Sequence, residues 1–96
     1  MEAGTKRFLA VSLAGHDKGQ LYLVLEEKDG VCLLTDGKRK LIGNPKRKKT
    51  IHIQKIIHIP GSLKEMTENA QTDAQVRAVL KMYLNRKTNT DQTAAE

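Results

Sequence analysis

Twenty-eight consecutive residues, Gly37 to Lys64, carry nine Lys or Arg (Lys38, Arg39, Lys40, Lys46, Arg47, Lys48, Lys49, Lys55, Lys64) and no Asp or Glu. The chain as a whole has 17 basic and 11 acidic residues and a net charge of +6. The rest of the chain therefore holds eight basic and eleven acidic residues and is net −3. Surface cations are normally interspersed with acids. A stretch with none concentrates a positive field and points to a polyanionic partner. Lysines and arginines there would neutralise phosphates and release counterions, giving salt-sensitive affinity with little dependence on base sequence.

A second phosphate-competent stretch lies earlier. Gly15 and Gly19 are four apart around Lys18, a spacing that lets a tight turn reach positive φ and bring backbone N–H groups near a phosphate, with Lys18 adding a point charge. The same glycines can equally serve only to turn a hairpin. His16 lies in this loop and is a candidate RNA contact. The other histidines, His52 and His58, fall on one face of a predicted strand. Six residues at strand rise put them about 20 Å apart, too far to share an ion. Cys32 is the single cysteine, which excludes an intrachain disulfide and leaves no partner for a zinc site. No metal site and no cofactor are expected. Ser12 and Ser62 carry no nucleophile signature, and Asp17, Asp29 and Asp36 read as turn residues. Cys32, in an apolar run, reads as an inert core thiol. No P-loop or dinucleotide glycine pattern appears, so a non-catalytic protein is expected.

The elements that must position these residues are short. Phe8–Leu13, Gln20–Lys28 and Val31–Thr35 read as strands, with Asp29-Gly30 suited to a type I′ turn and a second Asp-Gly at Asp36-Gly37. Their apolar runs are continuous rather than alternating, which predicts strands covered on both faces, as in a small curled sheet under a helix. Lys38–Ile42 is a candidate short fourth strand, broken by Gly43-Asn44-Pro45. Thr50–Ile59 alternates, with Ile51, Ile53, Ile57 and Ile59 on one face, and is predicted as a strand with those isoleucines inward. Thr72 and Gln75 form a capping-box pattern. Val76, Val79, Leu80, Tyr83 and Leu84 then make the stripe of an amphipathic helix over about 73–86. Arg77 and Lys81 share a different face of it and could extend the basic surface. The expected organisation is a flexible N-terminus at 1–5, a barrel over 6–62, a linker and helix over 63–87, and a disordered tail at 88–96. The N-terminal residues lack a signal-peptide core and no run suits a membrane span. A cytoplasmic monomer is expected.

From Val11 to Gly37 the order is apolar strand, Ala14-Gly15-His16-Asp17-Lys18-Gly19, apolar strand, Asp-Gly, apolar strand, Asp-Gly. Gly15, Asp17, Lys18 and Gly19 match the G-x-D-K-G loop of the KOW motif, and the basic stretch and late helix extend the likeness. The chain resembles short bacterial KOW-domain RNA-binding proteins, related to KOW-bearing large-subunit ribosomal proteins of archaea and eukaryotes. That resemblance implies a mainly β, SH3-like barrel of about five strands with a C-terminal helix, contacting RNA and most often ribosomal RNA. The expected phosphate ligands are Lys18, Lys38, Arg39, Lys40, Lys46, Arg47, Lys48 and Lys49, with His16 beside them and with Gly15 and Gly19 shaping the loop. The site is expected where loop and basic arm meet. With only Phe8, Tyr22 and Tyr83 as aromatics, all in apolar patterns, a base-stacking platform is not expected, and backbone and shape of structured RNA are. The alternative from another class is a protein-docking module on a ribosomal or RNA polymerase subunit.

Overall fold

A computed structural model of the chain describes residues 6–95, with side chains as far as residue 86. Five strands, β1 (Phe8–Ser12), β2 (Leu21–Lys28), β3 (Val31–Thr35), β4 (Lys46–Lys49) and β5 (Ile53–Lys55), form one antiparallel sheet in the order β4-β3-β2-β1-β5. A one-turn 3-10 helix at Thr50–His52 joins β4 to β5. Two helices follow, α1 (Gly61–Asn69) and α2 (Asp73–Ala95). The architecture is mainly β, a small SH3-like half-barrel with helices packed on it.

The continuous apolar run of β2 is explained by two cores, one on each face of the sheet. Leu9 and Leu23 meet Leu63, Ala70, Val76, Val79 and Leu80 beneath the helices. On the opposite face Ala10, Tyr22, Val24, Cys32 and Leu34 pack inside the curl, flanked by Phe8 and Ile53. Successive residues of a strand point to opposite faces, so only an unbroken apolar run can serve both cores. A register shift between Val24 and Glu26 bulges β2 where the run ends, and bulges bend and twist a strand. The β2–β3 turn has φ of +55° at Asp29 and +78° at Gly30, the positive pair that a type I′ hairpin needs. The capping box forms reciprocally: Thr72 N–H donates to Gln75 Oε1 at 3.1 Å and Gln75 N–H donates to Thr72 Oγ1 at 3.1 Å.

Four expectations are corrected. First, Lys38–Ile42 is not a strand; it lies in the β3–β4 connection, where only an isolated Leu41–Asn44 bridge forms. The basic residues Lys46–Lys49 are themselves the fourth strand. Second, Thr50–Ile59 is not one strand. The 3-10 turn takes its start, β5 covers only Ile53–Lys55, and Ile51 and Ile57 are 78% and 73% exposed. The isoleucines that do pack inward are Ile53, Ile56 and Ile59, three apart rather than two, because the chain turns out of the sheet after Lys55. Third, part of the supposed linker is helix α1, which buries Leu63 and Thr67 one turn apart. Pro60 is its N-cap, where a missing N–H costs nothing. Fourth, the backbone of α2 continues to Ala95, past the predicted end at Arg86, with no Gly or Pro to stop it. Residues 1–5 and 96 lie outside the described residues. No described helix is long and apolar enough to cross a membrane.

Candidate nucleic-acid interface

β4 reads Lys46-Arg47-Lys48-Lys49, and a strand must divide four consecutive side chains two and two. Register shows how. Lys46 lies opposite Leu34 and Lys48 opposite Cys32, both core residues inside the curl; Arg47 lies opposite Leu33 and Lys49 opposite Val31, on the other face. Arg47 and Lys49 are exposed, whereas the Lys48 side chain retains 11% of its accessibility and Lys46 31%.

The inward pair meets Asp17. Lys46 Nζ lies 2.8 Å from Asp17 Oδ2 and Lys48 Nζ 3.0 Å from Asp17 Oδ1. Ser12 Oγ and Tyr22 OH also donate to this carboxylate, at 2.8 and 2.7 Å. Burial alone would raise the pKa of Asp17, but the bonds from Lys46, Tyr22, Lys48 and Ser12 outweigh it and hold the carboxyl far below its ordinary range. Burial and the bond to Asp17 push the Tyr22 phenol the other way, upward. The loop after β1 and the edge strand β4 therefore do meet, as the sequence suggests. They meet through an ion-pair clasp, which engages both ammonium groups and leaves Lys46 half-exposed and Lys48 largely covered.

The 15–19 loop is also more closed than a phosphate cradle. Gly15 and Gly19 have φ of +88° and +91°, as predicted for a tight turn. However, Lys18 N–H donates to Gly15 O, Gly19 N–H to Ser12 O and Gln20 N–H to Asp17 O. Those three amides are occupied within the loop and cannot reach a phosphate. A Cβ at Gly15 would stand 3.4 Å from Lys48 Nζ, an ordinary contact, so it is the positive φ that favours glycine here. What the loop presents outward is Lys18 and His16, both exposed.

Lys38, Arg39 and Lys40 are organised differently. Asp36 Oδ1 accepts the backbone N–H groups of all three, at 2.8, 3.0 and 2.9 Å. Burial opposes ionisation of Asp36, yet these amides prevail and lower its pKa. Gln20 Nε2 donates to Asp36 Oδ2 at 3.2 Å, tying this loop to the end of the 15–19 loop. Thr35 Oγ1 donates to Lys40 O and closes the turn. Gly37, at φ +76°, sits against α2: an added Cβ would lie 2.6 Å from Asp73 O and 2.7 Å from Arg77 Cγ. Arg77 Nη1 donates to Gly37 O at 2.6 Å and Asp73 Oδ1 accepts Ile42 N–H at 2.8 Å, so α2 buttresses the loop from behind. Lys38 and Arg39 point to solvent and Lys40 is half-buried.

Asp17 forms salt bridges with two of the predicted cations, Lys46 and Lys48. Lys18, Lys38, Arg39, Arg47 and Lys49 are exposed and Lys40 is half-buried. The residue that sequence reasoning underrated is Asp17, taken as a turn former. No signal in the sequence marks it, because Lys46–Lys49 are four cations in a row with no alternation to show which turn inward. Cys32 is fully buried beside Thr50, and burial raises its thiol pKa, with the Thr50 hydroxyl opposing; it is an inert core residue. No three His, Cys, Asp or Glu side chains among the described residues are grouped to hold a metal ion. Compared with known proteins, the chain matches no family model and no curated sequence.

Proposed function

We propose that this protein is a non-catalytic, cytoplasmic RNA-binding protein that contacts structured RNA, ribosomal RNA above all, through phosphates. One observation carries the reading: the acid-free basic stretch keeps Lys38, Arg39, Arg47 and Lys49 exposed, while the Asp17 carboxylate engages the inward Lys46 and Lys48. The resemblance of Gly15, Asp17, Lys18 and Gly19 to the KOW loop supports the same partner. In this reading Lys18, Lys38, Arg39, Lys40, Arg47 and Lys49 meet phosphates, and His16 lies beside them. Lys46 and Lys48 hold the loop on β4, and Gly15 and Gly19 give it its turn. Six phosphate contacts would lower the logarithm of the affinity steeply with the logarithm of salt, by about 0.7–0.9 per contact.

The test is RNA affinity measured across a salt series for the wild type and for Lys38→Ala/Arg39→Ala/Lys40→Ala. The variant is expected to bind more weakly and to show a slope shallower by about two to three. Equal affinity at every salt concentration would overturn the reading. Co-sedimentation with ribosomes that survives complete nuclease digestion would instead favour the protein-docking alternative.

A further inference from the structure

The proposed RNA surface leaves unexplained an exposed isoleucine, Ile57, and four cations at the other end of β1. The 15–19 loop follows the C-terminal end of β1, beside edge strand β4. At the N-terminal end of β1, beside the opposite edge strand β5, an open groove of about 370 Å3 is lined by Lys6, Phe8, Lys55, Ile57, Ile59 and Lys64, among others. Lys6, Lys55 and Lys64 are exposed; Arg7 beside them is engaged by the carbonyl of Ala70, and Glu68 is the acid on this wall. Lys55 Nζ rests 4.7 Å from the centre of the Phe8 ring, which fixes one cation at the groove.

Phosphate contact accounts for the lysines but not for Ile57, which is 73% exposed beside the half-buried Ile56 and Ile59. A large aliphatic side chain left in water at a cationic groove is matched by a partner with both features reversed: acidic groups for the lysines and bulky apolar groups for Ile57, Ile59 and Phe8. We propose that this groove docks a short acidic, aliphatic-containing segment of another protein, at a surface separate from the one proposed for RNA. The protein would then be an adaptor, with one partner at each end of β1. The docking claim rests on the groove alone and does not depend on the RNA reading.

Selection of a random 12-residue peptide display library against the intact chain tests it. Enriched peptides are expected to combine Asp or Glu with Leu, Ile or Phe and, as synthetic peptides, to shift the NMR amides of Phe8, Lys55, Ile57 and Lys64. Lys6→Ala/Lys55→Ala/Lys64→Ala is expected to weaken peptide binding at least tenfold. Ile57→Ser changes no charge at a position already exposed and should weaken it about fivefold without altering the fold. RNA binding through Lys38–Lys49 should persist in both variants. The proposal is overturned if selection yields no peptides or peptides without acids. It is also overturned if the shifts map elsewhere, including onto the Glu26–Asp29 hairpin of a second copy, or if the triple lysine variant loses RNA and keeps peptide.

Discussion

Asp17 and Asp36 occupy similar places in the sequence, each in a glycine-containing turn followed by a lysine, yet they treat the neighbouring cations in opposite ways. Asp17 takes its partners from side chains, two of them lysines 29 and 31 residues away. Asp36 takes three of its partners from backbone, the N–H groups of the next residues but one, two and three, and a fourth from the Gln20 side chain. The first arrangement neutralises Lys46 and Lys48 and covers most of Lys48. The second leaves the side chains of Lys38, Arg39 and Lys40 unengaged and holds their backbone in a tight turn facing outward. A carboxylate near a basic cluster thus subtracts from the outward charge or organises it, according to whether its partners are ammonium groups or amides.

The largest effect should separate the two directly. Asp17→Ala strips the acceptor from two inward lysines, Tyr22 and Ser12, and is expected to cost about 3 kcal/mol in urea denaturation. If the loss is below about 1 kcal/mol, the clasp is an incidental surface contact. Gly37→Ala should come next, at about 2–3 kcal/mol, because its positive φ and the nearby Asp73 carbonyl leave no place for a Cβ. Asp36→Asn retains one acceptor for the amides of 38–40 and should cost about 1–2 kcal/mol. Its effect on RNA affinity should exceed its effect on stability, since the loop that presents three cations loosens. Were Asp36→Asn to bind RNA with wild-type affinity and salt slope, the organising half of the contrast would be lost.

Acid sharpens the contrast further. Both carboxyls have folded-state pKa values below the ordinary 3.8, so each contributes stability that is present above about pH 4 and lost as the pH falls. The shift is larger for Asp17. Asp17→Asn should therefore flatten the loss of stability between about pH 4 and pH 2 more than Asp36→Asn does. The smallest effect expected is on RNA binding by Lys46→Gln/Lys48→Gln, assayed under conditions where the variant is folded. Its salt slope should change by less than one, against two to three for the 38–40 variant. A larger change would return Lys46 and Lys48 to the interface.

Much of the fold was legible because hydrophobic pattern carries it. The apolar run Leu21–Leu25 announces burial on both faces, Asp29-Gly30 the hairpin, and Thr72 with Gln75 the start of α2. The division of Lys46–Lys49 was not legible, because four like residues have no apolar alternation from which to read a face. The isoleucines of Thr50–Ile59 misled for the converse reason. They alternate well, but the 3-10 turn and the exit after Lys55 replace a period of two with a spacing of three. Helix α1 was hidden because it buries only Leu63 and Thr67, too few for a stripe. Of the site, the cations and the meeting of loop with arm were readable, and the carboxylate that fastens them was visible only as a turn residue.

The clasp also sets what the chain can absorb in evolution. Exchanging Lys for Arg along β4 preserves which side chains turn inward and which outward. Shifting the strand by one residue does not, because the period of two then sends Arg47 and Lys49 toward Asp17 and releases Lys46 and Lys48 to solvent. The total charge would be unchanged and its geography inverted. Related chains should therefore vary freely in which cation fills each position of β4. Insertions between Gly43 and Pro45 that slide the strand against β3 should be rare unless they come in pairs.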